Sequence, residues 1–267
     1  MIPEDMIPND KWFLDKRYKD NQLNGISEGD IIFRIFSYSR LLQLLVEKRM
    51  VLLKPHKWDD PFENFLYSSE ATSEDNVSIS LASLRETAFG SCWSLAKESD
   101  AMWRIYSHNK DGVKVRTTVG KLFNTFWKAV RDPALKCYVG KVVYWGEAEI
   151  KKLISDPQQT NAIIFDSQGI EQAKSFLIKR KEFEHEQEVR LLYTTTPDQP
   201  ECRVETFSFL VDPFDLLDEI VFDPRIDKSV YNALSLAIRQ LGFTKEISRS
   251  SLYELPNMKV TIATRLK

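Results

Sequence analysis

Cysteine is scarce in these 267 residues: Cys92, Cys137 and Cys202 lie far apart, with no CxxC or Cys/His ligand spacing. That argues against a disulfide scaffold and a zinc site, and fits a reducing cytoplasm. The three histidines, His56, His108 and His185, form no HExxH or HxH pattern, so no His-based metal site is expected. None of the nine glycines falls in GxGxxG, GxxxxGK[ST] or GxSxG. Those gaps disfavour dinucleotide-fold dehydrogenases, P-loop enzymes and the common serine hydrolases. Long apolar runs are missing as well: none approaches the roughly 20 residues that span a bilayer, and the first twenty residues lack a signal-peptide core. A cytoplasmic protein without membrane contact is expected. Charge of either sign is not in excess, at a net −2, so there is no bulk pull toward nucleic acid, although a local basic patch is compatible with that balance.

Hydrophobic residues make up 43% and charged residues 28%, the composition of a soluble globular chain rather than a disordered one. Residues 1–29 are polar and read as an arm. IIFRIFS is a probable buried strand, SRLLQLLVEKR an amphipathic helix and MVLLKP a second strand, giving a β–α–β opening. Further on, FGSCWS, GVKVRTT, KCYVGKVVYW, VETFSFLVD and LLDEIVFDP read as strands. DAMWRIYS, KLFNTFWKAVRD, much of 147–156 and 161–183, and DKSVYNALSLAIRQLG read as helices, and MKVTIATRLK as a terminal strand. With no repeat and no long linker, the expectation is one α+β domain over 30–267, a mixed central sheet flanked by helices.

Four stretches carry candidate chemistry. Arg34 sits inside IIFRIFS, on the face of Ile32 and Phe36, where a guanidinium needs a carboxylate, a phosphate, a carbonyl or a route to water. In FEHEQEVRLLY, strand alternation puts Glu186, Glu188 and Arg190 on one face, with residues two apart separated by roughly 6.5–7 Å. That face is either a solvated Glu–Arg ladder or a pair of carboxylates turned toward one ligand. WDDPFEN offers Asp59, Asp60 and Glu63 at a turn beside Trp58 and Phe62, as local caps or as the frame of a cleft. CWS and DAMWRIYS add Ser94, Trp103 and Tyr106.

The order FRIF, LLKPHKWDDPFEN, CWS, DAMWRIYS, GVKV and FEHEQEVRLLY resembles a bacterial family, domain of unknown function 2971, over about 31–225. Asp59 stands where that family often has Asn, and Phe183 where Trp is frequent. More distantly, an arginine on the first strand, a serine-bearing strand and a late E-x-E resemble arginine-serine-glutamate ADP-ribosyltransferases, though the serine strand lacks their Ser-Thr-Ser run. That resemblance implies NAD as co-substrate, with Arg34 on its pyrophosphate and Ser94 on the nicotinamide side. Glu188 would be the catalytic carboxylate, Glu186 would orient or deprotonate the acceptor, and Trp58 or Tyr106 would stack on the ring. It also implies a nucleic-acid or protein acceptor and a role in toxin–antitoxin or phage-defence systems. Two other readings stand beside it. One is a Mg²⁺-dependent nuclease or phosphodiesterase using Asp59, Asp60, Glu186 and Glu188 with Arg190 on a phosphate. The other is a non-catalytic interaction module.

Overall fold

The computed structural model describes residues 11–58, 60–68, 70–72, 78–130, 136–196, 198–256, 258–259 and 261–262. Helix α1 (Lys11–Asp20) and the short strand β1 (Gln22–Leu23) fall within the expected arm. They are built into the domain, since Tyr18 packs on Phe123 and Trp127 and β1 pairs in parallel with Cys137–Lys141. The β–α–β opening follows as β2 (Ile31–Ser37), α2 (Tyr38–Glu47) and β3 (Arg49–Leu53). Helix α2 buries Leu41, Leu44 and Leu45, one turn apart on one face, and stops where Lys48 turns left-handed.

The remaining major elements are β4 (Ala88–Ser94), α3 (Asp100–Tyr106), β5 (Gly112–Thr118), α4 (Val119–Val130), β6 (Cys137–Lys141), α5 (Glu147–Ile154), α6 (Pro157–Ile164), α7 (Ile170–Ser175), β7 (Glu188–Thr194), β8 (Thr206–Leu210), β9 (Glu219–Phe222), α8 (Lys228–Gln240) and β10 (Glu246–Arg249). The ten strands form one mixed sheet in the order β1-β6-β7-β4-β2-β5-β9-β10, with β3 bordering β4 and carrying β8 outside it. Two small ladders lie apart, Glu70–Thr72 with Ser78–Ser80 and Val143–Trp145 with Ile178–Arg180. The architecture is α+β. Among the described residues no helix is long and apolar enough to cross a membrane.

Strand β4 is where the sheet forks. Along one edge it pairs with β7 at every residue from Ala88 to Ser94. On the other edge Ser94 pairs with Phe33 of β2, while Gly90 pairs with Leu53 of β3. Strands β2 and β3 therefore part beside Ser91, Cys92 and Trp93. Residues opposite each other in an antiparallel pair share a face. Glu188, Arg190, Ser94, Cys92 and Phe33 accordingly stand on one face, and Val189, Leu191, Trp93, Ser91 and Arg34 on the other. The second face carries the larger core, with α2 and α4 supplying Leu41, Leu45, Phe123 and Phe126. The first carries Tyr138, Leu192 and the apolar residues of α5–α7. With both faces covered, β7 is buried along its whole length, charged residues included.

Several segments differ from the sequence reading. Residues 161–183 are only partly helical: 161–164 finish α6, α7 starts after Gly169 adopts φ 79, and a short strand and a 3₁₀ turn then lead the chain back to the sheet. The last strand is β10, stationed beside β9 by parallel pairing. The described residues of 258–262 carry no strand, and the rest of the expected terminal strand lies outside the described residues.

Candidate functional site

FEHEQEVRLLY is not one continuous strand. Lys181–Glu186 is a 3₁₀ turn, Gln187 is left-handed at φ 44, and the strand starts at Glu188. Left-handed backbone is costly for a residue with a Cβ, and three contacts hold it here. The Ser94 hydroxyl donates to the Glu186 carbonyl at 2.6 Å, the Leu95 amide to the Gln187 carbonyl at 2.9 Å, and the Glu188 amide to the Tyr144 hydroxyl at 2.7 Å. Both glutamates still reach one place.

That place is a cavity of about 170 Å³ at the fork, whose wall includes Arg34, Cys92, Ser94, Tyr106, Glu186 and Glu188. Behind the two carboxylates lies a buried charge cluster. The Lys179 ammonium is 2.6 Å from Glu186, 3.2 Å from Glu188 and 3.1 Å from Glu63. Arg190, with no exposed surface, donates through Nε and Nη2 to both Glu188 oxygens at 2.9 Å, through Nη2 to Glu63 at 2.7 Å, and through Nη1 to the Phe176 carbonyl at 2.6 Å. Three carboxylates thus face two cations, a formal excess of one negative charge.

Burial opposes ionisation of Glu188 most strongly, yet the Arg190 guanidinium and the Lys179 ammonium overcome it and hold the carboxyl down at about 2. Burial wins at Glu63, whose carboxyl is raised despite Arg190. Lys179 and Arg190 are pushed above their ordinary ranges, because the surrounding glutamates outweigh desolvation. Burial, aided by Glu186, raises Tyr106, which donates to Glu186 at 3.2 Å. Burial raises the Cys92 thiol too, with Glu188 reinforcing it. Glu188 is therefore a fixed negative charge, and Glu186 is the carboxylate partnered by a cavity-wall hydroxyl.

Arg34 approaches from the opposite face of the sheet. Its Nη1 donates to the Ser91 hydroxyl at 2.9 Å, and its guanidinium lies 5.7 and 5.9 Å from the rings of Phe36 and Trp93. It has no carboxylate partner among the described residues, and burial weakens its hold on the proton. A second cavity, about 240 Å³, opens on this face between α2 and β3 and shares Arg34, Phe36 and Trp93 with the first. Arg40 and Arg49 line it, also without a carboxylate partner among the described residues, together with Glu47. The fork is thus flanked by two cavities with Arg34 common to both, one walled by Glu186 and Glu188 and the other by Arg40, Arg49 and Glu47.

The structure brings Arg34, Ser94, Tyr106, Glu186 and Glu188 together, and takes the other candidates elsewhere. The Trp58 ring lies under Arg190, 4.3 Å from its guanidinium, and against Phe176, so it stiffens the charge cluster and walls no part of the cavity. Asp60 accepts two hydrogen bonds from Arg180 and caps Phe62. Asp59 lies outside the described residues. Arg190 is fully buried and gives four hydrogen bonds to protein groups, so it is not placed to meet a phosphate. Ser94 spends its hydroxyl on the Glu186 carbonyl and the Ala96 amide. Sequence reasoning missed Lys179, Ser91, Arg40 and Arg49, and read Glu63 as a turn acid or part of a cleft frame, not as a member of a buried charge cluster. Lys179 sits in an ordinary-looking LIKRKEF, and its link to Glu63 joins positions far apart in the chain. Among the described residues no group of three or more His, Cys, Asp or Glu side chains is placed to hold a metal ion. The three glutamates converge on the Lys179 ammonium.

Comparison with solved structures finds Thermus sp. 2.9 DarT in complex with ADP-ribosylated ssDNA, at TM-score 0.40 and 11% identity, covering 85% of this chain and 97% of that one. The same protein in complex with NAD+ gives TM-score 0.39 and 10% identity, over 84% of this chain and 97% of that one. A comparison with curated proteins finds no match. The family model matches residues 102–191, narrower than the 31–225 over which the sequence landmarks run. From the helix of Tyr106 to the strand of Glu188, the chain is similar to the DUF2971 family of proteins of unknown function.

Proposed function

We propose that the cleft binds NAD+ and that the protein consumes it, as a mono-ADP-ribosyltransferase or an NAD glycohydrolase. The observation that carries this reading is the polarity of the cleft. Arg34, Arg40 and Arg49, with no carboxylate partner among the described residues, lie on one side, and a cluster with one excess carboxylate lies on the other. NAD+ has the matching polarity, an anionic pyrophosphate and a cationic pyridinium. Guanidinium groups suit the pyrophosphate through charge-assisted, bidentate hydrogen bonds. The excess negative charge favours the pyridinium, more so in a site partly cleared of water.

In the reaction the bond from ribose C1′ to the pyridinium nitrogen breaks, and its electron pair leaves with nicotinamide. Positive charge grows on C1′, and Glu188, held ionised by Arg190 and Lys179, is the fixed charge that stabilises it. An acceptor oxygen or nitrogen bonds to C1′ and gives its proton to Glu186, whose partner Tyr106 stands at the cavity wall. Water in the acceptor's place makes the reaction a hydrolysis. A nucleic acid or a protein is the acceptor class proposed, and growth arrest on expression in bacteria would accord with a toxin or phage-defence role.

The test is nicotinamide release from NAD+. Wild type is expected to release it, and Glu188→Gln, folded, to lose at least about a hundredfold in rate. Equal turnover by Glu188→Gln removes Glu188 from the reaction. The saturation of Glu188 by Arg190 and Lys179 favours a second reading, a binding module with a rigid charged floor, and NAD+ binding without turnover in wild type would select it.

A further inference from the structure

Asp223, the residue after β9, reaches back to the end of α3 from far along the chain. Asp223 is fully buried. Its carboxylate accepts from the Ser107 hydroxyl at 2.5 Å and from Arg225, through the backbone amide at 2.7 Å, Nε at 2.9 Å and Nη2 at 2.6 Å. The same Nη2 donates to the carbonyls of Trp103 at 3.0 Å and Ser107 at 2.7 Å, at the C-terminal end of α3. Each of those carbonyls also accepts one backbone amide, Trp103 from Ser107 and Ser107 from Lys110, both at 3.0 Å, and Arg225 adds a cation where the helix dipole favours one. The Ser107 hydroxyl also accepts from the Gly112 amide at 2.9 Å. Any Cβ at Gly112 would lie 2.4 and 2.5 Å from Ser107 Cβ and Oγ, so glycine is what lets the turn close.

The last residue of α3 is Tyr106, whose hydroxyl meets Glu186 in the cavity. We infer that Asp223 and Arg225 are positioning residues for the cleft, holding the end of α3 so that Tyr106 stands over Glu186. The inference deepens the NAD-consuming reading and rests on it for its kinetic arm. Both residues lie beyond the 102–191 stretch of family similarity, so this part of the cleft is completed by a later segment of the chain.

The experiment combines amide hydrogen exchange with NAD+ consumption in wild type, Arg225→Ala, Arg225→Lys, Tyr106→Phe and the Arg225→Ala/Tyr106→Phe double variant. In Arg225→Ala the Tyr106 and Ser107 amides are expected to exchange on the order of tenfold faster, with Arg225→Lys in between. Arg225→Ala and Tyr106→Phe should each lower kcat about tenfold with KM within about twofold, and the double variant should fall no further than the lower single. Additive losses in the double variant, or wild-type exchange at 106–107 in Arg225→Ala, overturn the inference. Should Arg225→Ala fail to fold, wild-type exchange at 106–107 in Arg225→Lys overturns it and faster exchange supports it. If wild type consumes no NAD+, the cleft reading falls, while the exchange arm still decides whether the clamp fixes α3.

Discussion

Arg34 and Glu188 project from opposite faces of one sheet and still border the same cavity. Strands β2 and β4 make this possible by meeting only at Phe33 and Ser94 and then parting. An unbroken sheet would leave the guanidinium in one core and the carboxylate in the other. The fork brings two charged residues from opposite faces to the wall of one cavity, and what each does there depends on how it is held.

Lys179 should be the keystone of the negative end. Lys179→Met leaves Glu63, Glu186 and Glu188 buried around Arg190 alone, an uncompensated charge that costs about 3–5 kcal/mol. Urea unfolding at neutral pH should show that loss, and the loss should shrink in acid as the carboxylates take up protons. A cost below about 1 kcal/mol at neutral pH would mean that the cluster is not compensated by this lysine.

The acid limb of stability should depend on Glu188. Its folded carboxyl is held at about 2, below the ordinary carboxylate range, so its contribution is complete above about pH 4.5 and is lost as pH falls toward 2. The shift corresponds to about 3 kcal/mol. Glu63, raised by burial, acts with the opposite sign: above the ordinary range the unfolded chain ionises more readily there, which removes stability. Melting temperatures of wild type and Glu188→Gln across pH 2–5 separate the two, wild type falling more steeply. Parallel curves would show that Glu188 is not the depressed group.

Trp58 should matter to stability and not to ligand. Its ring supports Arg190 and presses on β4, since a Cβ added at Gly90 would lie 2.6 Å from it. Trp58→Ala is expected to cost about 2–4 kcal/mol in denaturant while leaving NAD+ affinity within about twofold. A folded Trp58→Ala that binds NAD+ tenfold more weakly would place the ring in the binding site after all.

Much of this was legible in the sequence. IIFRIFS, with a lone arginine among β-forming apolar residues, announced both the strand and the anomaly at Arg34. The Leu41, Leu44 and Leu45 stripe announced α2, and the strands GVKVRTT and FGSCWS fell where expected. Arg34, Ser94, Tyr106, Glu186 and Glu188 meet in one cavity because β2 and β3 part beside β4. What stayed hidden was set by tertiary pairing. Alternation cannot announce a left-handed Gln187, nor that a charged strand face will be sealed by Glu63 and Lys179 from elsewhere. Nor can it show that Arg190, read as a ligand for phosphate, will be consumed internally. Ser91 was invisible beside Ser94 because only the fork brings it to Arg34.

The central claim is that a guanidinium and a carboxylate cluster frame a site for NAD+, and calorimetric titration of NAD+ tests it most directly, with wild type beside Arg34→Ala. Wild type should give a saturable heat that Arg34→Ala loses, because Arg34 is the cation common to both cavities. Absence of heat in wild type at roughly millimolar NAD+, or equal binding by folded Arg34→Ala, would contradict it.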